Sequence, residues 1–206
     1  NRQRLEIRDG VVIDQDSGEE IAGLAEVTMQ MHYSIFNADT VCHEESYIPT
    51  CGPLTFGVTF AVVDVDTRTG KVDVVKLASA SDSGKIINPL GALGQLNGGN
   101  IMSMGYGTSE QILIDPKTGR VYNDNLLDYK IPTFADLPEL AAHFVETDEP
   151  SSAYGNKSLG EPPCIAPATA IRNAVANATG VFINQIPLTP ERVLSALKAA
   201  EQGKEG

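Results

Sequence analysis

The chain has 206 residues, 42% of them hydrophobic and 20% charged, and its 15 Lys and Arg against 27 Asp and Glu give a formal charge of −12. A chain of this length can bury roughly 70% of its unfolded surface, so a core forms without staples and nothing in the composition forces a second domain. The negative balance repels phosphate backbones and anionic lipid, which argues against nucleic acid or a membrane surface as partner.

In chain order, the first segment alternates around Leu5, Ile7, Val11 and Ile13 and turns at Asp14 to Gly18, as a short hairpin or strand pair does. A short helix is expected over Ile21 to Met31, followed by an extended connection over 32–54 that contains Pro49 and Pro53. Phe56, Val58, Phe60 and Val62 alternate within a Thr55 to Asp66 strand, answered by Lys71 to Ala78 across a Thr67-Arg-Thr-Gly70 turn. The turn pattern Asp66-x-x-Thr69-Gly70 recurs as Asp115-x-x-Thr118-Gly119, with too few acidic residues for a calcium loop.

The uncharged stretch from Ile86 to Ser109 has six glycines and Asn88, Gln95, Asn97 and Asn100, which suits a buried segment and not a membrane span. Leu90, Leu93, Ile101 and Met104 predict a helix over 89–111, either continuous or broken into two pieces. A helical glycine costs about 1 kcal/mol relative to alanine, so Gly94, Gly98 and Gly105 point to close approach of another backbone or a ligand. Pro167 opens a further helix with the stripe Ile171, Ala174, Val175 and Ala178, and Gly180 stops it. Thr189 caps a last helix through Pro190 and Leu197, leaving 201–206 as a frayed tail.

Cys42, Cys51 and Cys164 leave one thiol unpaired after any disulfide and lack close Cys-x-x-Cys spacing. A reducing, cytoplasmic setting follows as the simpler expectation, and no iron–sulfur cluster is expected on this chain. The start at Asn1 carries no secretory pattern and reads as internal to a longer protein, so an upstream targeting signal would not be visible. His32, His43 and His143 are too widely spaced for a local metal site, and neighbours in Cys42-His43-Glu44-Glu45 point to opposite sides of an extended chain. No Gly-x-Ser-x-Gly elbow, phosphate loop or dinucleotide fingerprint is present.

Lys157-Ser-Leu-Gly-Glu-Pro-Pro163 differs in kind, because Glu161 stands between a glycine and two prolines that fix the local backbone. A carboxylate held rigidly against a dry pocket is suited to accepting a proton; in isolation, a glutamate in a surface turn is the plainer reading.

The order of four stretches resembles the C-terminal part of the molybdopterin-binding subunit of the xanthine dehydrogenase and aldehyde oxidase family. They are Asp82-Ser-Gly84 with Asn88-Pro89, Gly94-Gln95, Gly98-Gly99 and Gly105; Asp128-Tyr-Lys-Ile-Pro132; Lys157 to Pro163; and Ala170-Ile-Arg-Asn-Ala-Val175. Leu5 to Asp14 and Leu24-Ala-Glu-Val27 resemble the family's lead-in. Ser103 stands where the family's helix often has glycine, and Met102 where glutamine is common.

The resemblance implies a mixed α/β (α+β) fold of hairpins and a mixed sheet packed with helices, with 1–54 as lead-in and 55–200 as core. It implies a hydroxylase of N-heterocycles or aldehydes that uses water-derived oxygen, in which Glu161 takes a proton from a hydroxyl on molybdenum. Gln95, Gly94 and Gly98 would meet the cofactor, expected in its molybdopterin cytosine dinucleotide form, and no side chain of this chain would ligate the metal. The implied partners are the upstream molybdenum-binding segment, 2Fe-2S and FAD subunits and a small-molecule substrate. The isolated chain is expected to be inactive and to lack cofactor. Two alternatives are a non-catalytic scaffold or assembly domain and a hydrolase pairing Glu161 with Asp128 or Glu110, which would need carboxylates about 5 to 9 Å apart.

Overall fold

The computed structural model describes residues 4–33, 42, 44–49 and 51–203. Contacts divide the chain into two units, Asn1–Ile48 and Pro49–Gly206.

In the first unit, β1 (Leu5–Arg8), β2 (Val11–Asp14) and β3 (Glu20–Gly23) form an antiparallel meander in that order. The β1–β2 turn is Asp9-Gly10, both at positive φ (49° and 79°), the geometry that matches the twist of a tight hairpin. The expected turn at Asp14 to Gly18 instead joins β2 to β3, where the Asp14 carboxylate accepts from the backbone N–H of Asp16 and Ser17 at 2.9 and 3.1 Å. Helix α1 runs Leu24–Tyr33, later than the Ile21 to Met31 expected, because Glu20–Gly23 pairs with β2. His32 stacks edge-on against Tyr33 in its last turn. His43 lies outside the described residues.

In the second unit, β4 (Phe56–Val65) and β5 (Val72–Asp82) form the expected hairpin, in register from Phe56↔Asp82 to Val65↔Val72 with a bulge at Val62/Val63. A third strand, β6 (Glu139–Phe144), joins β5 in parallel from Lys76↔Glu139 to Ser81↔Phe144, which makes the sheet mixed. Sequence reading missed β6: its Glu-Leu-Ala-Ala-His-Phe pattern carries few β-formers, and only its pairing with β5 makes it a strand.

Helix α2 (Pro89–Thr108) is one uninterrupted helix, not two pieces, and the Asn88 side chain caps it by accepting from Gly91 N–H. Helix α3 (Pro167–Thr179) stops at Gly180, whose φ of 74° is the left-handed C-terminal cap. Helix α4 (Pro190–Gln202) starts at Thr189, whose hydroxyl accepts from Arg192 N–H, and runs two residues into the tail expected to fray; 204–206 lie outside the described residues. The core gathers Leu77, Met104, Ile171, Val175, Leu188 and Val193, flanked by Ala61, Val63 and Leu140, so one face of the sheet is covered by helices. Among the described residues no helix is long and apolar enough to cross a membrane.

Candidate functional site

Helix α2 carries the site, and the segment 155–168 is fastened along it. Gln95 donates its side-chain N–H to the Gly160 carbonyl at 2.6 Å. One turn further, Pro163 lies against Gly99, where an added Cβ would come within 2.6 Å of the proline ring and 3.2 Å of the Cys164 nitrogen. Tyr106 donates its hydroxyl to the Cys164 carbonyl, and the buried Ser103 hydroxyl accepts from Ala168 N–H at 3.0 Å. Ser103, a departure from the family's usual glycine, thus serves the first turn of α3. Met102, the other departure, is exposed.

Glu161 sits at the head of this fastening. It precedes a 3-10 turn, Pro162–Cys164, in which its carbonyl accepts from Cys164 N–H at 3.0 Å; the prolines fix the backbone beyond it, and its residue surface is exposed. A cleft of about 290 Å³ opens behind the turn, lined by Thr59, Ser79, Leu96, Pro162 and Pro163 among others, but Glu161 does not line it.

The segment leading to Glu161 is anchored by Lys157. This lysine, its side chain 6% exposed, donates to the Asp82 carboxylate at 2.7 Å and lies 5.5 Å above the Phe56 ring. Asp82 also accepts from the Thr147 hydroxyl at 2.6 Å and from Gly84 N–H at 3.1 Å. The Lys157 bond, followed by that of Thr147, holds the Asp82 pKa down to about 2. Gly84, at φ 68°, permits the tight approach of Asn156, and Lys157 N–H donates to the Ser83 carbonyl at 2.7 Å. The Asp82-Ser-Gly84 and Lys157 motifs, distant in sequence, are therefore one structural joint.

The Asp128-Tyr-Lys-Ile-Pro132 motif serves the far end of α2. Tyr129 donates to Glu110 at 2.8 Å, which raises the tyrosine pKa, Ser109 donates to the Lys130 carbonyl, and Pro132 packs on Gly105. Glu110 is held at the Gly105 end of α2, ten residues or about 15 Å along a helix axis from Gln95, which holds the Gly160 carbonyl. Asp128 is turned to Asn125.

Gly94 and Gly98, expected to admit another backbone or a ligand, meet nothing within 4 Å among the described residues; the close approaches fall at Gly99, Gly105 and Gly107. On the surface beside Gln95 they leave the helix backbone bare, flanked by exposed Leu90 and Met102. Asn97 adds a buried side-chain oxygen with no hydrogen-bond partner. The bare backbone surface at Gly94 and Gly98 fits a large group laid against α2. Among the described residues no three His, Cys, Asp or Glu side chains gather to hold a metal. Cys42, Cys51 and Cys164 are all free thiols.

A family model described as the molybdopterin cofactor-binding domain matches residues 1–138. The chain belongs to this family. This molybdopterin-binding domain is 46% identical over 187 residues to the Escherichia coli K12 protein described as a putative xanthine dehydrogenase molybdenum-binding subunit, covering 91% of this chain and 25% of that one. It is 33% identical over 144 residues to an Escherichia coli aldehyde oxidoreductase molybdenum-binding subunit, covering 69% of this chain and 20% of that one. In fold it matches quinoline 2-oxidoreductase from Pseudomonas putida 86 at a TM-score of 0.79 and 28% identity, over 96% of this chain and 26% of that one. The domain is therefore a molybdenum-binding domain of the xanthine dehydrogenase and aldehyde oxidoreductase family, and it spans about a quarter of the length of its first-named relative.

Sequence points to Gln95, Gly94, Gly98 and Glu161, and the structure brings Gln95 and the turn of Glu161 together. Sequence does not point to Gly99, Ser103, Tyr106 and Asp82 as residues that hold the turn. Only the glycine density of α2 hinted at Gly99; the other three are ordinary residues whose partners lie 58 or more positions away.

Proposed function

We propose that this chain supplies the general base and one wall of the cofactor site of a molybdenum hydroxylase that acts on an N-heterocycle or an aldehyde with water-derived oxygen. The observation that carries it is the exposed Glu161 carboxylate on a turn fixed by two prolines and tied through Gln95 to the bare Gly94–Gly98 surface of α2. The substrate class rests on relatives named for such compounds, among them the nicotine 6-hydroxylase large subunit of Paenarthrobacter nicotinovorans, 36% identical over 140 residues.

Molybdopterin, taken here as its cytosine dinucleotide form, would lie against Gly94, Gln95 and Gly98 and supply a Lewis-acidic centre that accepts an electron pair. The chain's own part is proton transfer and placement. A Glu161 Oε accepts the proton released as the water-derived oxygen attacks the electron-poor carbon, and returns it to solvent afterwards. The prolines and Gln95 hold the backbone that carries that carboxylate. Electrons would leave through 2Fe-2S and FAD carriers on other domains or subunits, and the upstream molybdenum-binding segment would complete the pocket, so the isolated chain would be inactive.

Glu161→Gln in the molybdenum-loaded enzyme tests the assignment. Turnover should fall by about 10²- to 10⁴-fold with molybdenum content unchanged, the usual scale of a lost general base. Turnover equal to wild type overturns it.

A further inference from the structure

We propose that Lys157, locked to Asp82, is a positioning residue for Glu161: the ion pair fixes where the segment 158–161 starts and thereby where the carboxylate stands. The inference rests on the reading of Glu161 as the base. A lysine ammonium whose side chain is 6% exposed, paired at 2.7 Å with a carboxylate 20% exposed, is a costly device where an apolar residue would serve equally for packing. What the pair adds is direction, since one donor must meet one acceptor in a fixed place.

That place is set independently of the turn. Asp82 is the last residue of β5 and is itself held by Thr147 at 2.6 Å and by Gly84 N–H at 3.1 Å. Beside it, Lys157 N–H bonds the Ser83 carbonyl and Lys85 N–H bonds the Gly155 carbonyl, at 2.7 and 2.8 Å. From Lys157 the chain has no slack: Thr55 donates to the Ser158 carbonyl at 2.9 Å and Gln95 to the Gly160 carbonyl at 2.6 Å before Glu161 is reached. A shift at Lys157 is passed along three residues to the carboxylate.

The test is the charge-neutral pair Lys157→Met with Asp82→Asn, which leaves no unpaired charge and keeps acceptors for Thr147 and Gly84. In the molybdenum-loaded enzyme the double variant should keep wild-type molybdenum content and KM, and lose about a hundredfold in kcat, the scale of a misplacement near 1 Å. Its crystal structure should show the 158–161 segment displaced against Gln95. Adding Glu161→Gln should cost nothing beyond Glu161→Gln alone, because both act through one group. Wild-type kcat, a loss that tracks molybdenum content, or a loss that adds in full to that of Glu161→Gln overturns the proposal. Should the double variant not fold, Lys157→Arg keeps the charge but changes its reach; a loss of about tenfold in kcat at constant KM supports the role, and an unchanged kcat overturns it. If Glu161→Gln alone turns over normally, the base assignment fails, while displacement of 158–161 in the double variant still decides the positioning role.

Discussion

At Gly98 and Gly99, adjacent residues of one helix face opposite circumstances. Gly99 abuts Pro163 closely enough that a methyl group would lie 2.6 Å from its Cβ, whereas Gly98 has nothing within 4 Å among the described residues. Gly99→Ala should therefore displace the turn and destabilise the fold by about 1–3 kcal/mol, the usual scale of overpacking. Gly98→Ala should stabilise it by up to about 1 kcal/mol through helix propensity, yet reduce molybdenum loading if the cofactor lies on that surface. Thermal unfolding and metal analysis on both variants separate the two effects, and equal destabilisation would refute the packing argument. Ser103→Ala strips the buried Ala168 N–H of its acceptor, so a loss of about 1–3 kcal/mol is expected in denaturant unfolding. Sequence showed that the glycines of α2 needed a reason and that Glu161 was rigidly flanked. Which glycine faces the turn depends on the helix's rotation against residues more than 60 positions away, and local spacing does not encode it.

Among the elements, those with local signals were legible. Alternation at Phe56 to Val62 announced β4, Pro167 and Thr189 mark the starts of α3 and α4, and Gly180 ends α3. The elements misplaced or missed depend on partners: β3 took Ile21 from the expected helix by pairing with β2, and β6 exists through β5. The joint between the end of β5 and the 155–157 segment carries its own pH signature. Asp82 has its pKa lowered from 3.8 to about 2 in the folded state, so its contribution is fully present above about pH 4 and fades as the pH falls toward 2. Asp14, Asp66, Asp115, Asp136 and Glu149 are shifted in the same direction, chiefly by hydrogen bonds from neighbouring hydroxyls and backbone N–H groups, and should deepen the same acid loss. Asp82→Asn should thus be less stable than wild type at pH 6 and approach it near pH 2. Urea midpoints across that range decide the matter, and a constant gap would show that the Asp82 charge is not the source.

For the whole molecule, the second unit has one finished face and one bare one. Helices cover Ala61, Val63, Leu77 and Leu140, while the opposite face presents Phe56, Val58, Phe60 and Val62, each between 46% and 68% exposed, along a strand at the sheet's edge. Sequence alternation announced that strand but not that both of its faces are apolar in use, because Phe and Val on either side satisfy the same pattern. A contiguous apolar stripe on an edge strand is a surface that proteins ordinarily cover. The chain spans 25% of its first-named relative, and the test is whether the remainder of such a subunit covers the stripe. Val58→Thr with Phe60→Thr puts β-branched threonines in the strand and, on an exposed face, should change the isolated chain's stability by no more than about 0.5 kcal/mol while lowering its binding of a hydrophobic dye. In the full-length enzyme the same pair should lower the thermal midpoint, since there it would place hydroxyls in a buried interface without partners. A full-length midpoint as unaffected as that of the isolated chain would mean that the stripe remains in water in the assembled enzyme.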